Sequence, residues 1–250
     1  MYKQKYLKYQ KKYKELTRQW AGHSNYHDCI INEHNIAYRR YDAYSPWIFY
    51  ETDKYFFKLA SKYISNSSAK LENEYDNTLI ANSISDEVVT VYAFGHLNMM
   101  DKQINMEKTS FINESDVDHI KKLLLCIINN SELISNLATN ESVPFMISEN
   151  ISNNYISLDT LDASNIDENE YCFKCFLTKK VSEILKKISS KGLCHNDMFL
   201  HNVYYDPKTR QIKLIDFGNS FIGDQAYAYD IDYNKFLDAL KDLFKTNDMF

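Results

Sequence analysis

His195-Asn196-Asp197-Met198-Phe199-Leu200-His201-Asn202, followed shortly by Lys213-Leu214-Ile215-Asp216-Phe217-Gly218, is the stretch on which the reading of this chain turns. Between the two lie the short β-prone runs Val203-Tyr204-Tyr205 and Gln211 to Ile215, on either side of the turn signal Asp206-Pro207-Lys208-Thr209. The pattern predicts a hairpin, and a hairpin returns Asp216 to the side of Asn202. A carboxylate, an amide oxygen and a second carboxylate are then gathered in one place. Phosphoryl transfer from a nucleoside triphosphate needs such a set: one carboxylate to take the proton of the attacking hydroxyl, and oxygen ligands for the magnesium ions that neutralise the phosphates. Asp197 is the candidate base, and Asn202 and Asp216 are the candidate metal ligands.

An H-x-D-x-x-x-x-N stretch followed by D-F-G resembles the protein-kinase-like superfamily, which includes eukaryotic-type protein kinases, small atypical kinases, and aminoglycoside and choline kinases. The resemblance continues upstream in the family's own order, over roughly residues 36 to 244. Tyr55-Phe56-Phe57-Lys58-Leu59-Ala60 is similar to the strand whose lysine contacts the α- and β-phosphates, which gives that role to Lys58. Leu71 to Ile80 is similar to the small-lobe helix whose glutamate pairs with that lysine; Glu74 matches better than its neighbour Glu72. Val88 to Gly95 reads as the next strand. Val143 to Asn150 reads as the strand running into the hinge, where the family holds adenine through backbone groups, here at Glu149 and Asn150.

From Glu168 to Lys191, apolar residues at Phe173, Phe176, Leu177, Val181, Ile184, Leu185 and Ile188 keep helical spacing, and Gly192 sits where a helix stops. The resemblance thus implies an α+β, two-lobed protein-kinase-like fold that uses ATP and Mg2+. Residues 1–20 would form a basic helical extension, 21–150 an N-lobe, and 151–250 an abbreviated C-lobe. The acceptor would be a protein serine or threonine, or else a small hydroxylated metabolite as in the choline and aminoglycoside kinases, which Leu193 to Asp197 and Ala228 to Ile231 also resemble. A catalytically weak binding module of the same fold is the non-enzyme alternative.

Several positions depart from the family pattern. No glycine lies between Asn35 and Lys58, where protein kinases carry a glycine-rich loop over the phosphates; Tyr41 to Trp47 stand there instead. Ser45 and nearby backbone amides are left to meet a phosphate, while Pro46 removes one backbone donor. Asn196 replaces an arginine that answers a phosphorylated activation loop, and Phe199 replaces a lysine. After Gly218 a short connection leads to a helix at Asp230 to Leu240, in which Asp232, or else Asp230, would brace the catalytic loop. A docking surface for a protein substrate must then come from elsewhere.

A composition of 44% hydrophobic and 25% charged residues suits a globular chain able to bury a core. No run reaches the length of a membrane span, and five cysteines without a secretory signal suggest a reducing, cytoplasmic setting, in a host cytoplasm or virion if viral. The tyrosine- and lysine-rich opening resembles the start of giant-virus proteins. Cys172 and Cys175 form a single C-x-x-C with no second ligand pair nearby, which argues against a metal site there.

The net charge of −5 is unevenly spread, since residues 1 to 20 carry six lysines and Arg18 against Glu15. Tyr2, Tyr6, Tyr9, Tyr13, Leu16 and Trp20 form an aromatic stripe at helical spacing. Packing on its own domain, self-association, an acidic partner or an anionic surface through residues 2–19 would bury it; nucleic acid is not expected. Near 98–141 the chain carries a segment the family pattern does not need. Its centre, Asp116 to Leu137, predicts one or two helices inserted between small-lobe strands, for packing or for substrate selection.

Overall fold

A computed structural model of the chain describes residues 29–31, 34–39, 47–61, 66–129, 137, 142–161 and 170–244. The expected helix at 1–20 and Ser45 lie outside these residues. Seven strands form one antiparallel sheet: β1 (Cys29–Ile31), β2 (His34–Arg39), β3 (Trp47–Glu51), β4 (Tyr55–Ala60), β5 (Val91–Asn98), β6 (Gln103–Thr109) and β7 (Ser142–Glu149), in the order β1-β2-β3-β4-β7-β5-β6. β4 therefore lies beside β7, with Lys58 opposite Met146 on one side and Phe49 on the other.

Two helices cover the sheet, one on each face. α2 (Glu114–Asn129) lays Ile120, Leu123, Leu124, Ile127 and Ile128, all buried, onto a core that includes Ile48, Tyr50, Phe57, Leu59 and Phe145. Acidic Glu114 and Asp116 in its first turn suit the positive end of the helix dipole. α1 (Ser67–Ile84) packs through Leu71 and Tyr75 against Val91, Phe94 and Met146. The inserted segment is thus partly helical, as expected, and partly strand. β6 was not expected: only Ile104 and Met106 on its half-buried face are apolar, too short a polar–apolar alternation to mark a strand in sequence.

The strand expected at Val88 to Gly95 begins later, at Val91. Val88 instead makes a parallel bridge with Leu214, and the Val89 N–H donates to Leu214 O (3.0 Å). The two residues serve the second lobe.

That lobe is built from α3 (Glu170–Ser189), α4 (Gln225–Phe244) and two small sheets: β8 (Ile156–Ser157) with the hairpin β10 (Val203–Asp206) and β11 (Gln211–Leu214), and β9 (Leu193–Cys194) with β12 (Phe221–Ile222). α3 buries Phe173, Leu177, Val181, Ile184, Leu185 and Ile188. α4 buries Ala228, Asp232, Phe236, Leu240 and Phe244, one residue every four, so a single face packs inward and one carboxylate lies on it. Asp206 closes the hairpin turn by accepting from Lys208 N–H (2.8 Å) and Thr209 Oγ1 (2.7 Å). Three residues after α3 the chain turns at Gly192, whose φ of +73° and whose approach to Gly223 O, 2.4 Å from where a Cβ would stand, both require glycine. The chain then enters the loop that carries Asp197.

Candidate active site

Lys58 comes from β4 and Glu74 from the inner face of α1. Lys58 Nζ donates to both Glu74 oxygens, at 2.8 and 2.7 Å, with both side chains almost wholly buried. Asp216 Oδ1 stands 3.6 Å from the same ammonium. Burial works to lower the Lys58 pKa, but the charges of Glu74 and Asp216 outweigh it and raise it. One cation therefore serves two carboxylates. The Lys58 charge, against opposing burial, holds Asp216 below the usual range, whereas burial pushes Glu74 up to about 7 with Lys58 only partly opposing. Read separately, the raised lysine and the raised glutamate pull opposite ways on their pair. The ammonium is the firmer direction, since both carboxylates favour it and the deficit falls on the more buried of the two. Glu72, in contrast, faces away and pairs with Lys108 (2.9 Å).

The loop after β9 is fixed from beneath by Asp232, which accepts from the His195 N–H (2.6 Å) and the Asn196 N–H (2.7 Å). Asp230 is exposed and takes no part, so the brace is Asp232. Burial raises the Asp232 pKa, against those two N–H bonds. His195, fully buried, packs its ring 4.4 Å from that of Phe217. Its Nε2 donates to Ile215 O (2.9 Å) and its Nδ1 accepts from the Asp197 N–H (3.3 Å), because a carbonyl can only accept and an amide N–H can only donate. The imidazole thereby ties the Asp197 loop to the strand that delivers Asp216.

Asn202 Nδ2 donates to Asp197 O (2.8 Å) and, more weakly, to Asp197 Oδ2 (3.4 Å), while Asn202 O accepts from the Ile215 N–H (3.1 Å). The amide's oxygen is left without a donor among the described residues. Asp216 adopts a left-handed backbone (φ 61°, ψ 70°), and its Oδ1 accepts from the Gly218 N–H (3.4 Å). A Cβ at Gly218 would stand 3.1 Å from Asp216 Oδ1 and 3.2 Å from Glu74 Oε2, so glycine lets the chain pass close to both carboxylates.

Of the residues singled out from sequence, the structure brings together Lys58, Glu74 and Asp216, and joins Asp197 and Asn202 to them through Ile215. Glu149 and Asn150 lie at the end of β7 with their backbone N–H groups already bonded to Thr90 O (2.8 Å) and Lys54 O (2.9 Å). The Glu149 carboxylate accepts from Lys213 (2.8 Å) and the Thr90 N–H (2.9 Å), a tie between the lobes. Neither amide is open to a base in this arrangement.

Sequence reading missed Asn219, whose Nδ2 donates to Asp197 Oδ2 (3.2 Å), and Lys235, which holds Asn196 through its O (2.6 Å) and Oδ1 (2.8 Å). It also missed Trp47, whose ring lies 5.0 Å from Lys58 Nζ. No local spacing signals these contacts, which depend on the turn after Phe217, on the packing of α4 and on the β3–β4 pairing.

Hard oxygen donors in a polar cleft suit magnesium, which is held by one or two protein groups together with phosphate oxygens and water rather than by a protein cage. The free oxygen of Asn202 and the carboxylate of Asp216 fit that pattern. Among the described residues no group of three or more His, Cys, Asp or Glu side chains could hold a metal alone. Nor is any described helix long and apolar enough to cross a membrane.

No family model matches the chain, and no curated protein matches it. Among solved structures it is similar to WaaP in complex with acyl carrier protein, at 10% identity and a TM-score of 0.45, over 88% of this chain and 72% of that one. It is also similar to the kinase PK-1 of Cydia pomonella granulovirus, at 14% identity and a TM-score of 0.39, over 72% of this chain and half of that one. In its own element order, with a sheet and pairing helix above a cleft and a braced loop and hairpin below, the chain has a two-lobed protein-kinase-like fold.

Proposed function

We propose that the chain is an ATP- and Mg2+-dependent phosphotransferase to a hydroxyl acceptor, and specifically an atypical serine/threonine protein kinase. The observation that carries this reading is the buried Lys58–Glu74 pair facing Asp216, on the same cleft as the loop of Asp197 and Asn202.

In this mechanism Asp197, held by Asn202 and Asn219, orients the acceptor hydroxyl and takes its proton as the oxygen attacks the γ-phosphorus. Lys58, fixed by Glu74, binds phosphate oxygens. Trp47 stands beside Lys58, in the region where a glycine-rich loop would lie. Asn202 and Asp216 would hold magnesium, which when bound neutralises phosphate charge. Only a short link separates Phe217–Asn219 from α4, so protein docking would fall to residues 2–19 or to the segment near 98–141.

A second reading, transfer to a small hydroxylated metabolite, rests on the likeness of Leu193 to Asp197 and Ala228 to Ile231 to choline kinases. Thermal-shift titration tests the shared part. Mg-ATP should raise the apparent Tm and ATP with EDTA should raise it far less; no shift at millimolar Mg-ATP favours the binding-module alternative. Radiolabelled transfer to generic proteins beside choline, ethanolamine, aminoglycosides and sugars separates the acceptors. Robust transfer to one small molecule and none to protein overturns the protein-kinase reading.

A further inference from the structure

Away from the cleft, where α1 begins, three side chains form a chain of hydrogen bonds that the phosphotransferase reading does not use. Ser68 Oγ lies 2.9 Å from His96 Nε2, and His96 Nδ1 lies 2.6 Å from Glu107 Oε1. A carboxylate can only accept, so Nδ1 carries the proton. The Nε2 lone pair of the neutral ring then faces the serine hydroxyl. The imidazole is further fixed by Phe94, edge-on at 5.5 Å, and Glu107 by Asn105 Nδ2 at 3.4 Å. Ser68 and His96 are half-buried and Glu107 is exposed, so the cluster lies at the surface.

A hydroxyl bonded to an imidazole that is itself oriented by a carboxylate is the arrangement by which a serine becomes a nucleophile. What an acyl transfer also needs is a group to stabilise the oxyanion. Ser68 is the second residue of α1, whose cap, Asn66, gives no side-chain hydrogen bond and whose first turn has no acidic residue. The first N–H groups of a helix have no partner within it and favour nearby negative charge.

We propose that Ser68, His96 and Glu107 form a second reactive site that takes the acyl group of a small activated ester. Ser68 Oγ attacks the carbonyl carbon, forming a C–O bond, while its proton passes to His96 Nε2. The ester C–O bond breaks, and the leaving alkoxide or phenoxide departs with the proton from Nε2. Water then attacks the acyl-serine with His96 taking its proton, releasing the carboxylic acid and restoring the hydroxyl. Ser68 and His96 touch the reacting atoms, and Glu107 positions the imidazole. The site lies about 9 Å along α1 from Glu74 and owes nothing to nucleotide.

The test is hydrolysis of 4-nitrophenyl acetate by the full chain, followed by peptide mass analysis. The expected result is a burst of nitrophenolate and an acetyl group on Ser68, neither slowed by Mg-ATP. Ser68→Ala should abolish the burst and cut turnover about tenfold or more. Glu107→Gln should lower kcat with KM and Tm unchanged, which a merely structural carboxylate would not do. Acetyl groups found only on lysines, or wild-type turnover in Ser68→Ala, would overturn the proposal.

Discussion

α1 and α2 cover opposite faces of the same sheet, yet they bury different chemistry. α2 buries only apolar side chains, five of them at helical spacing. The buried side of α1 carries Glu74, Asn77 and Thr78 beside Leu71, Tyr75 and Ala81. Each polar group on it has a partner: Glu74 takes Lys58, Asn77 donates to Ser220 O (3.1 Å), and Thr78 donates to Glu74 O (2.6 Å). Area burial holds α2 in place. α1 is held partly by bonds that reach into the cleft and across to the Phe217–Ser220 segment, so its position is coupled to the groups proposed for chemistry. One helix is a lid on a core, and the other is a wall of the site.

If that contrast holds, changes in the cleft should alter turnover more than stability. The largest effect is expected for Asp197→Asn, which removes the proposed base: phosphotransfer should fall by about 10²–10⁴-fold while the Mg-ATP Tm shift survives. Asp216→Asn should lose turnover and also much of the magnesium-dependent part of the shift. Wild-type turnover in either variant breaks the assignment.

The reverse pattern is expected on α2. Leu123→Ala removes a fully buried side chain and should cost about 2–5 kcal/mol in urea unfolding. The Tm shift on adding Mg-ATP should remain close to that of wild type. A loss of nucleotide response in proportion to stability would mean that the inserted helix is also part of the site.

These contrasts also explain what could be read from the chain alone. α2 and α3 were visible because their buried faces are apolar and periodic, and Gly192 marks the end of α3. α1 has almost no amphipathic pattern, since half of its buried face is polar, and it was placed only by the resemblance around Leu71 to Ile80. The convergence of Lys58, Glu74 and Asp216 was likewise legible through motif order. The engaged amides of Glu149 and Asn150 were not, because they depend on which strand or turn lies alongside, and the same is true of Asn219 beside Asp197. Ser68, His96 and Glu107 come from three elements, one of them the unforeseen β6.

A smaller effect separates two glutamates on α1. Glu74→Gln should lower turnover by about tenfold to a hundredfold by letting Lys58 drift. Glu72→Gln breaks only the half-exposed pair with Lys108, which is also held by Asp76 (2.8 Å), and should change stability by less than about 0.5 kcal/mol and turnover not measurably. The opposite ranking would move the working pair to Glu72.

The finest distinction lies in pH, measured on the metal-free protein. Each helix brings a carboxylate to a lysine, but the two differ in burial. Asp116, at the start of α2, accepts from Lys54 (2.7 Å) and Tyr55 (2.9 Å) with burial a lesser influence, and its pKa is lowered. Its contribution is present above the unfolded value near 3.8 and is lost as pH falls through the lower folded value. Glu74 is raised from 4.5 to about 7 because burial outweighs Lys58. Its linked contribution is fully present below 4.5 and is lost as pH rises through about 7. The stability difference between wild type and Glu74→Gln should therefore shift in favour of wild type as pH is lowered from 8 to 5. The difference between wild type and Asp116→Asn should stay level over that range and shrink only in stronger acid. Parallel slopes for the two variants between pH 5 and 8 would remove the contrast, and with it the claim that α1 holds a carboxylate against its own desolvation.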